Sequence, residues 1–216
     1  MMPTMMNRRS LHRLALGLGA STVLALAAPA WAADEAPDAL IQRVSADALE
    51  TLRTDKSFQT GDIAKIVALV DKVVMPHVNF RRMTSAAVGP GWRKATPEQQ
   101  ARLQQEFKTL LVRTYAGALA QVKDERVTVK PLRAKPDDTD VLVRTEVRGR
   151  GDPVQLDYRL EKTPGEGAGW KIYNLNVMGV WLVETYRNQF AQEINAKGVD
   201  GLIATLAQRN ATGESK

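Results

Sequence analysis

Between residues 127 and 178 the apolar residues of this chain recur at every second position, whereas on both flanks they recur every three or four. Val141, Val143, Thr145 and Val147 alternate with Leu142, Arg144 and Glu146. Val154, Leu156, Tyr158 and Leu160 alternate with Gln155, Asp157 and Arg159. A period of two sends alternate side chains to opposite faces of a strand, so each run has one apolar and one charged face. Val127 and Val129 mark a shorter run, and WKIYNLNVM (170–178) makes a fourth. Turn-forming residues separate them at Pro136-Asp137-Asp138, at 149–152 and at 164–169. The spacing predicts a four-stranded antiparallel sheet, wetted on one face.

The flanks read as helices. Leu40, Ile41, Val44, Ala48, Leu49 and Leu52 keep helical spacing from Pro37 to about Thr54, and Ile63, Ile66, Val67, Val70, Val73 and Val74 do so from Asp62 to Met75, where Pro76 stops the pattern. A short helix over 80–87 ends at Gly89-Pro90-Gly91. The longest helix is announced by KATPEQQ: Thr96 caps it, Pro97 suits its first position and Gln99 returns the capping bond. Leu103, Phe107, Leu110, Leu111, Thr114, Tyr115, Ala118, Leu119 and Val122 then form one broad apolar stripe, predicting a helix to about Gln121 that lies across the core. Two helices close the chain, over 180–196 and, after Gly198, over 199–208. Helices, strands and helices in that order predict a single α+β domain whose sheet is covered on one face.

The first 32 residues stand apart. Arg8, Arg9 and Arg13 precede the apolar run LALGLGASTVLALAA (14–28), and Ala30-Trp31-Ala32 offers a small-residue cleavage site. That order is a secretory signal peptide, with Arg8-Arg9 weakly resembling a twin-arginine signal. The expected organisation is signal peptide over 1–32, folded domain over 33–209 and a polar tail over 210–216. The expected compartment is the periplasm. The chain has no cysteine, which excludes disulfides, thiolate metal sites and a lipidated anchor at the cleavage site. Of its 30 basic residues three fall in the signal, leaving 27 against 24 acidic ones, a mildly basic and well-mixed surface. No basic cluster carries interleaved aromatics, so nucleic acid is not an expected partner.

Catalytic groups are sparse. Beyond the signal the single histidine is His77, and none of Ser45, Ser57, Ser85 and Ser215 sits in a nucleophile-elbow setting. No metal-ligand spacing occurs. GRGDP (149–153) has glycines but joins two strands and lacks the phosphate-loop lysine. Neither an enzyme nor a cofactor is expected.

Two longer stretches carry a family signature. PHVNFRRMTSAAVGPGWRKATPEQQARLQQEFKTLLVRTYAGAL (76–119) and WKIYNLNVMGVWLVETYRNQFAQEINAKGVDGLIATL (170–206) resemble the MlaC family, also called toluene-tolerance auxiliary proteins. The Phe-x-x-Leu-Leu, Thr-Tyr and Tyr-Arg-x-x-Phe elements are present in order. Trp181 departs from the pattern, standing where a small residue, often serine, is expected. Asn79 and Asn174 stand where aspartate is frequent, with consequences expected for local capping only.

The resemblance implies a periplasmic phospholipid carrier with a nuclear-transport-factor-like (NTF2-like) sheet wrapped by helices and an apolar cavity between them. It implies as partners a phospholipid ligand, an outer-membrane lipoprotein complex and an inner-membrane MCE-domain ABC transporter, and a monomeric carrier. The residues expected against acyl tails come from four regions: Met75, Val78, Phe80, Met83 and Trp92; Phe107, Leu111 and Tyr115; Val143, Val147, Leu156 and Tyr158; and Val180, Leu182, Tyr186 and Phe190. Arg93, Lys94, Arg144 and Arg148 are the candidates for a phosphate at the mouth. In NVMGVWLVETYRNQF (176–190) Gly179 breaks the strand, and the rings that follow read either as core or as cavity edge. Trp181 either narrows the mouth or faces a partner. Two alternatives remain: a carrier of another apolar molecule, and an enzyme on the same scaffold, which would need an acidic residue or His77 inside the cavity.

Overall fold

The computed structural model describes residues 35–60 and 62–212. The predicted signal peptide and residues 213–216 lie outside the described residues. Helix α1 spans Pro37–Thr54 and is followed by a 3-10 turn, Lys56–Thr60. Asp62 caps α2, Ile63–Leu69, by accepting from the Ala64 and Lys65 N–H groups. The expected unbroken helix to Met75 instead widens into a π turn over Val70–Val74 and tightens into a 3-10 turn over Met75–His77. The physical cause is Pro76, which has no N–H to donate and whose ring collides with the carbonyl four residues back.

α3 spans Phe80–Val88. Gly89-Pro90-Gly91, expected to end α3, also opens a further short helix, α4, Pro90–Lys94. It packs closely on the last helix: a Cβ on Gly91 would lie 2.9 Å from Ile194 Cδ1. α5 runs Pro97–Ala120 with the expected capping box, Thr96 accepting from the Gln99 N–H and Gln99 from the Thr96 N–H.

The sheet is antiparallel in the order β1 (Arg126–Val129), β2 (Asp140–Arg148), β3 (Val154–Lys162), β4 (Trp170–Val177) and β5 (Val180–Trp181). Five strands replace the expected four. The fifth comprises the two residues assigned by spacing to a helix start. Met178 and Gly179 both take positive φ, 51° and 88°, which closes a two-residue hairpin and reverses the chain before the helix begins. α6 then spans Leu182–Thr212 as two arms joined at Gly198, whose φ of 71° is non-helical. The helix extends past the expected tail boundary, because Asn210 is buried and its amide donates to the Glu106 carboxylate and carbonyl.

Directly opposed residues of an antiparallel ladder share a face. Val147 opposes both Val127 and Val154, Thr145 opposes Val129 and Leu156, and Tyr158 opposes Val143 and Leu175. Leu156 opposes Val177, and Leu160 opposes Val141 and Ile172. This apolar face is the inner one. A register shift between Arg159 and Leu160 changes the phase of β4 there. Ile172 and Leu175, three positions apart, consequently both join the inner face.

Three separate clusters of buried apolar residues hold the helices to this face and to one another. In the first, α3, α4, the start of α5 and α6 pack around Phe107. In the second, Leu40, Ile41 and Val44 of α1 cover Val141, Val143, Leu160, Trp170 and Ile172. In the third, the end of α1 and α2 pack on Val112 and Ala116 of α5.

Candidate functional site

The clusters do not merge, and the apolar side chains at their margins keep accessible surface. Met75, Val78, Leu111, Tyr115, Leu175 and Val177 are only partly buried where they pack on the first cluster, and Val78 and Tyr158 where they pack on the second. Val73 and Leu119 do the same on the third. Packed cores leave few voids larger than a water molecule. The half-accessible apolar residues of α5 and the inner sheet face therefore mark a seam of apolar surface at the margins of the clusters.

Tyr158 locates its depth. Burial pushes its phenol pKa up, against hydrogen bonds with Thr145 and Ser45 that lower it. Yet its side chain keeps part of its surface open. Tyr115 of α5 behaves alike, burial pushing its phenol up while it remains partly accessible.

The seam is closed at one end and open at the other. Under α1 the inner face is sealed: Val143 and Leu160 are 0% accessible. Toward the β2–β3 turn and the β4–β5 hairpin, Val127, Val147, Val154, Leu156 and Val177 all stay half-buried. The mouth lies at that end.

Of the residues expected against acyl tails, the structure brings Met75, Val78, Leu111, Tyr115, Val147, Leu156 and Tyr158 to the seam. Phe80, Met83, Trp92, Phe107, Val143, Leu182, Tyr186 and Phe190 are instead buried in the clusters. Phe107 shows why: its ring centroid lies 5.8 Å from Phe80, 5.0 Å from Tyr186 and 5.2 Å from Phe190, the last two edge-on. Of the rings in NVMGVWLVETYRNQF, Tyr186 and Phe190 are thus closed on each other and on Phe107. Val180 pairs with Val177, so it belongs to the inner face, but it sits on the rim and is exposed. Leu175 and Val177 were missed by simple alternation, because the phase change in β4 puts them on the face of Ile172.

The four candidate phosphate partners do not converge. Arg144 and Arg148 lie on the outer face of β2, Arg148 paired with Glu146. Arg144 borders a shallow hollow of about 260 Å³ with Lys130, Glu146, Pro153 and Gln155. Arg93 and Lys94 are exposed at the end of α4. A larger cleft of about 430 Å³ lies between the two arms of α6, with a mixed lining in which Gln189, Gln192, Glu193, Thr205 and Arg209 stand beside Phe190, Leu202 and Leu206.

The departures at Asn79, Asn174 and Trp181 all act on the outer side. Asn79 caps α3 by accepting from the Arg82 N–H, and its amide donates to Glu161 at 2.6 Å. Asn174 accepts from the Val183 N–H at the start of α6 and donates to Glu184 at 2.8 Å. Both therefore do more than cap: the amide NH₂, which aspartate lacks, ties a helix to the sheet through a carboxylate. In each case an arginine completes the clasp. Arg82 lies over the Tyr173 ring at 3.5 Å and pairs with Glu161, while Arg159 lies over the Trp181 ring at 4.1 Å and pairs with Glu184 at 2.8 Å. Trp181 opposes Asn176 and so points to the outer face; it does not narrow the mouth. Asp140 accepts from the Tyr173 hydroxyl, and burial together with that bond pushes the phenol up to about 12.

Burial works to raise the Glu184 pKa, but hydrogen bonds from Asn174, its own N–H and Arg159 outweigh it and hold the carboxyl low. Asn174→Asp removes one of those donors and sets a second carboxylate against Glu184. Loss of about 1–3 kcal/mol of stability is expected at neutral pH. Two facing carboxylates raise the pKa of the pair in the folded state. The penalty is then relieved below that raised pKa and fully present above it. Thermal melting across pH 4 to 8 checks this, the deficit against wild type shrinking toward acid.

The charged groups that act on His77 are Arg43, Glu35, Asp47 and Lys171, and burial together with Arg43 lowers its pKa. Among the described residues no group of three or more His, Cys, Asp or Glu side chains is placed to hold a metal ion, and no helix is long and apolar enough to cross a membrane.

A family model described as MlaC protein matches residues 42–208. The toluene tolerance protein ttg2D of Pseudomonas putida is 28% identical over 170 residues, covering 78% of this chain and 77% of that protein. The intermembrane phospholipid transport system binding protein MlaC of Haemophilus influenzae is 22% identical over 178 residues, covering 82% and 83% respectively. Among solved structures, the phospholipid-binding protein from Ralstonia solanacearum, in complex with a phospholipid, is similar with a TM-score of 0.78 and 47% identity. The likeness covers 82% of this chain and 97% of that one.

Proposed function

The chain belongs to the MlaC family, and on that premise we propose that it is a periplasmic phospholipid carrier, exported by a cleaved leader over 1–32. In this reading it moves glycerophospholipid between an outer-membrane lipoprotein complex and an inner-membrane MCE-domain ABC transporter. The observation that carries it is the seam itself: accessible apolar side chains left between three packed clusters, in a fold whose 47%-identical relative holds a phospholipid.

The energetics favour such a device. A diacyl phospholipid has roughly 28 to 30 methylenes, each costing about 0.8 kcal/mol in water, so bare transit costs on the order of 20 kcal/mol. A seam lined by Met75, Val78, Leu111, Tyr115, Val147, Leu156 and Tyr158, with Leu175 and Val177 added, offsets that cost by offering an apolar phase comparable to a bilayer. Exchange with a membrane is then close to thermoneutral. Direction comes from the partners, and the carrier needs no catalysis.

Organic extraction of the purified protein followed by mass spectrometry tests this. A near-stoichiometric diacyl phospholipid is expected. A different apolar molecule, or none, overturns the reading.

A further inference from the structure

The two large apolar side chains that stand exposed among the described residues are Met178, 67% accessible, and Val180, 49%. Both sit on the β4–β5 hairpin. Its mirror-image turn suits Asn-Gly, yet Met178 occupies the first central position at φ 51°. A methionine there takes a backbone conformation that L side chains rarely adopt, and it gains no burial in return. Fold stability does not account for it.

Its position does. Val180 shares the inner face with Val177, at the end where Val147, Val154 and Leu156 remain accessible, so the tip is the outer lip of the seam. From Ile172 to Val183 the chain carries no charged residue. The charges elsewhere at this end of the sheet, Asp124, Arg126, Arg148, Arg150 and Asp152, are mixed in sign. An uncharged apolar protrusion among mixed charges suits a hydrocarbon phase and supplies no single-signed field to steer an acidic or basic protein.

We propose that the Met178–Val180 tip is a lipid-surface contact. It dips into the headgroup–acyl boundary of a phospholipid leaflet, so that the mouth opens onto hydrocarbon and a lipid enters or leaves without crossing water. The inference rests on the phospholipid-carrier reading. Even one acyl chain anchors a protein only marginally, so two side chains give a brief contact that lets the carrier depart.

The test is exchange of a fluorescent phospholipid between the lipid-loaded protein and vesicles of phosphatidylethanolamine and phosphatidylglycerol. The variants are Met178→Asn, Val180→Thr and the two combined. Exchange by the double variant is expected to slow roughly tenfold, corresponding to lost apolar contact. Its phospholipid content as purified is expected to stay at the wild-type level. The wild-type rate is expected to change little between low and high salt. Met178→Asn is expected to melt at or above the wild-type temperature, since asparagine suits the turn, which separates a slower exchange from misfolding. Unchanged exchange by the double variant overturns the inference while leaving the carrier reading intact. So does a wild-type rate that collapses with salt, or exchange that proceeds only when a partner protein is added. A wild-type protein that carries no phospholipid overturns the carrier reading and the inference together.

Discussion

Leu111→Glu should empty the protein of lipid without unfolding it. Leu111 lies on α5 at the margin of the first cluster and keeps part of its surface accessible. A carboxylate there is not locked into a packed core, so the fold keeps its clusters. An acyl chain laid against it, however, must desolvate the charge or force its protonation, and either costs several kcal/mol. A loss of about 3 kcal/mol lowers occupancy by roughly a hundredfold at fixed lipid supply. Extracted phospholipid per protein, measured by mass spectrometry, is therefore expected to fall at least tenfold, with the far-ultraviolet circular dichroism unchanged. Val147→Glu, on the sheet side near the mouth, should behave alike. A Leu111→Glu protein that still carries phospholipid at the wild-type level would remove that residue from the wall.

Much of this architecture is legible in the residues. The capping box at Thr96 and Gln99 and the stripe from Leu103 to Val122 fix α5. The alternation through Val141–Val147 and Val154–Leu160 fixes two strands and their inner faces. The same alternation already set Arg144 and Arg148 on the charged face, which is the outer one, so their distance from the seam was implicit. Other features leave no periodic signal. A two-residue turn with methionine at positive φ is invisible to turn chemistry, and it hid β5 and the outward direction of Trp181. The register shift in β4 breaks the period of two, which concealed Leu175 and Val177. Periodicity also reports which face of a helix is apolar, never whether the space facing it is filled. Phe107 and Leu111 share one stripe a single turn apart, and only packing separates them.

That separation predicts the opposite outcome at Phe107. The ring is 0% accessible and touches three others, from α3 and from the first arm of α6. Truncating a buried aromatic loses its transfer energy and leaves a cavity, at a cost of about 3–5 kcal/mol. The edge-on contacts with Tyr186 and Phe190 add roughly 0.5–1.5 kcal/mol each beyond area burial. Phe107→Ala should therefore cost at least about 3 kcal/mol by denaturant titration and lower the melting temperature by roughly 6 °C or more. It should do so without excluding lipid below the new transition, because the lost ring held α3, α5 and α6 together and did not face the seam. The pair of variants forms a crossed test: one empties a folded protein, the other weakens a protein that still binds. If Phe107→Ala instead costs less than about 1 kcal/mol and abolishes lipid, the ring faced an open space. The aromatic stretch at 181–190 would then be cavity wall, and the seam would run on the α6 side of α5.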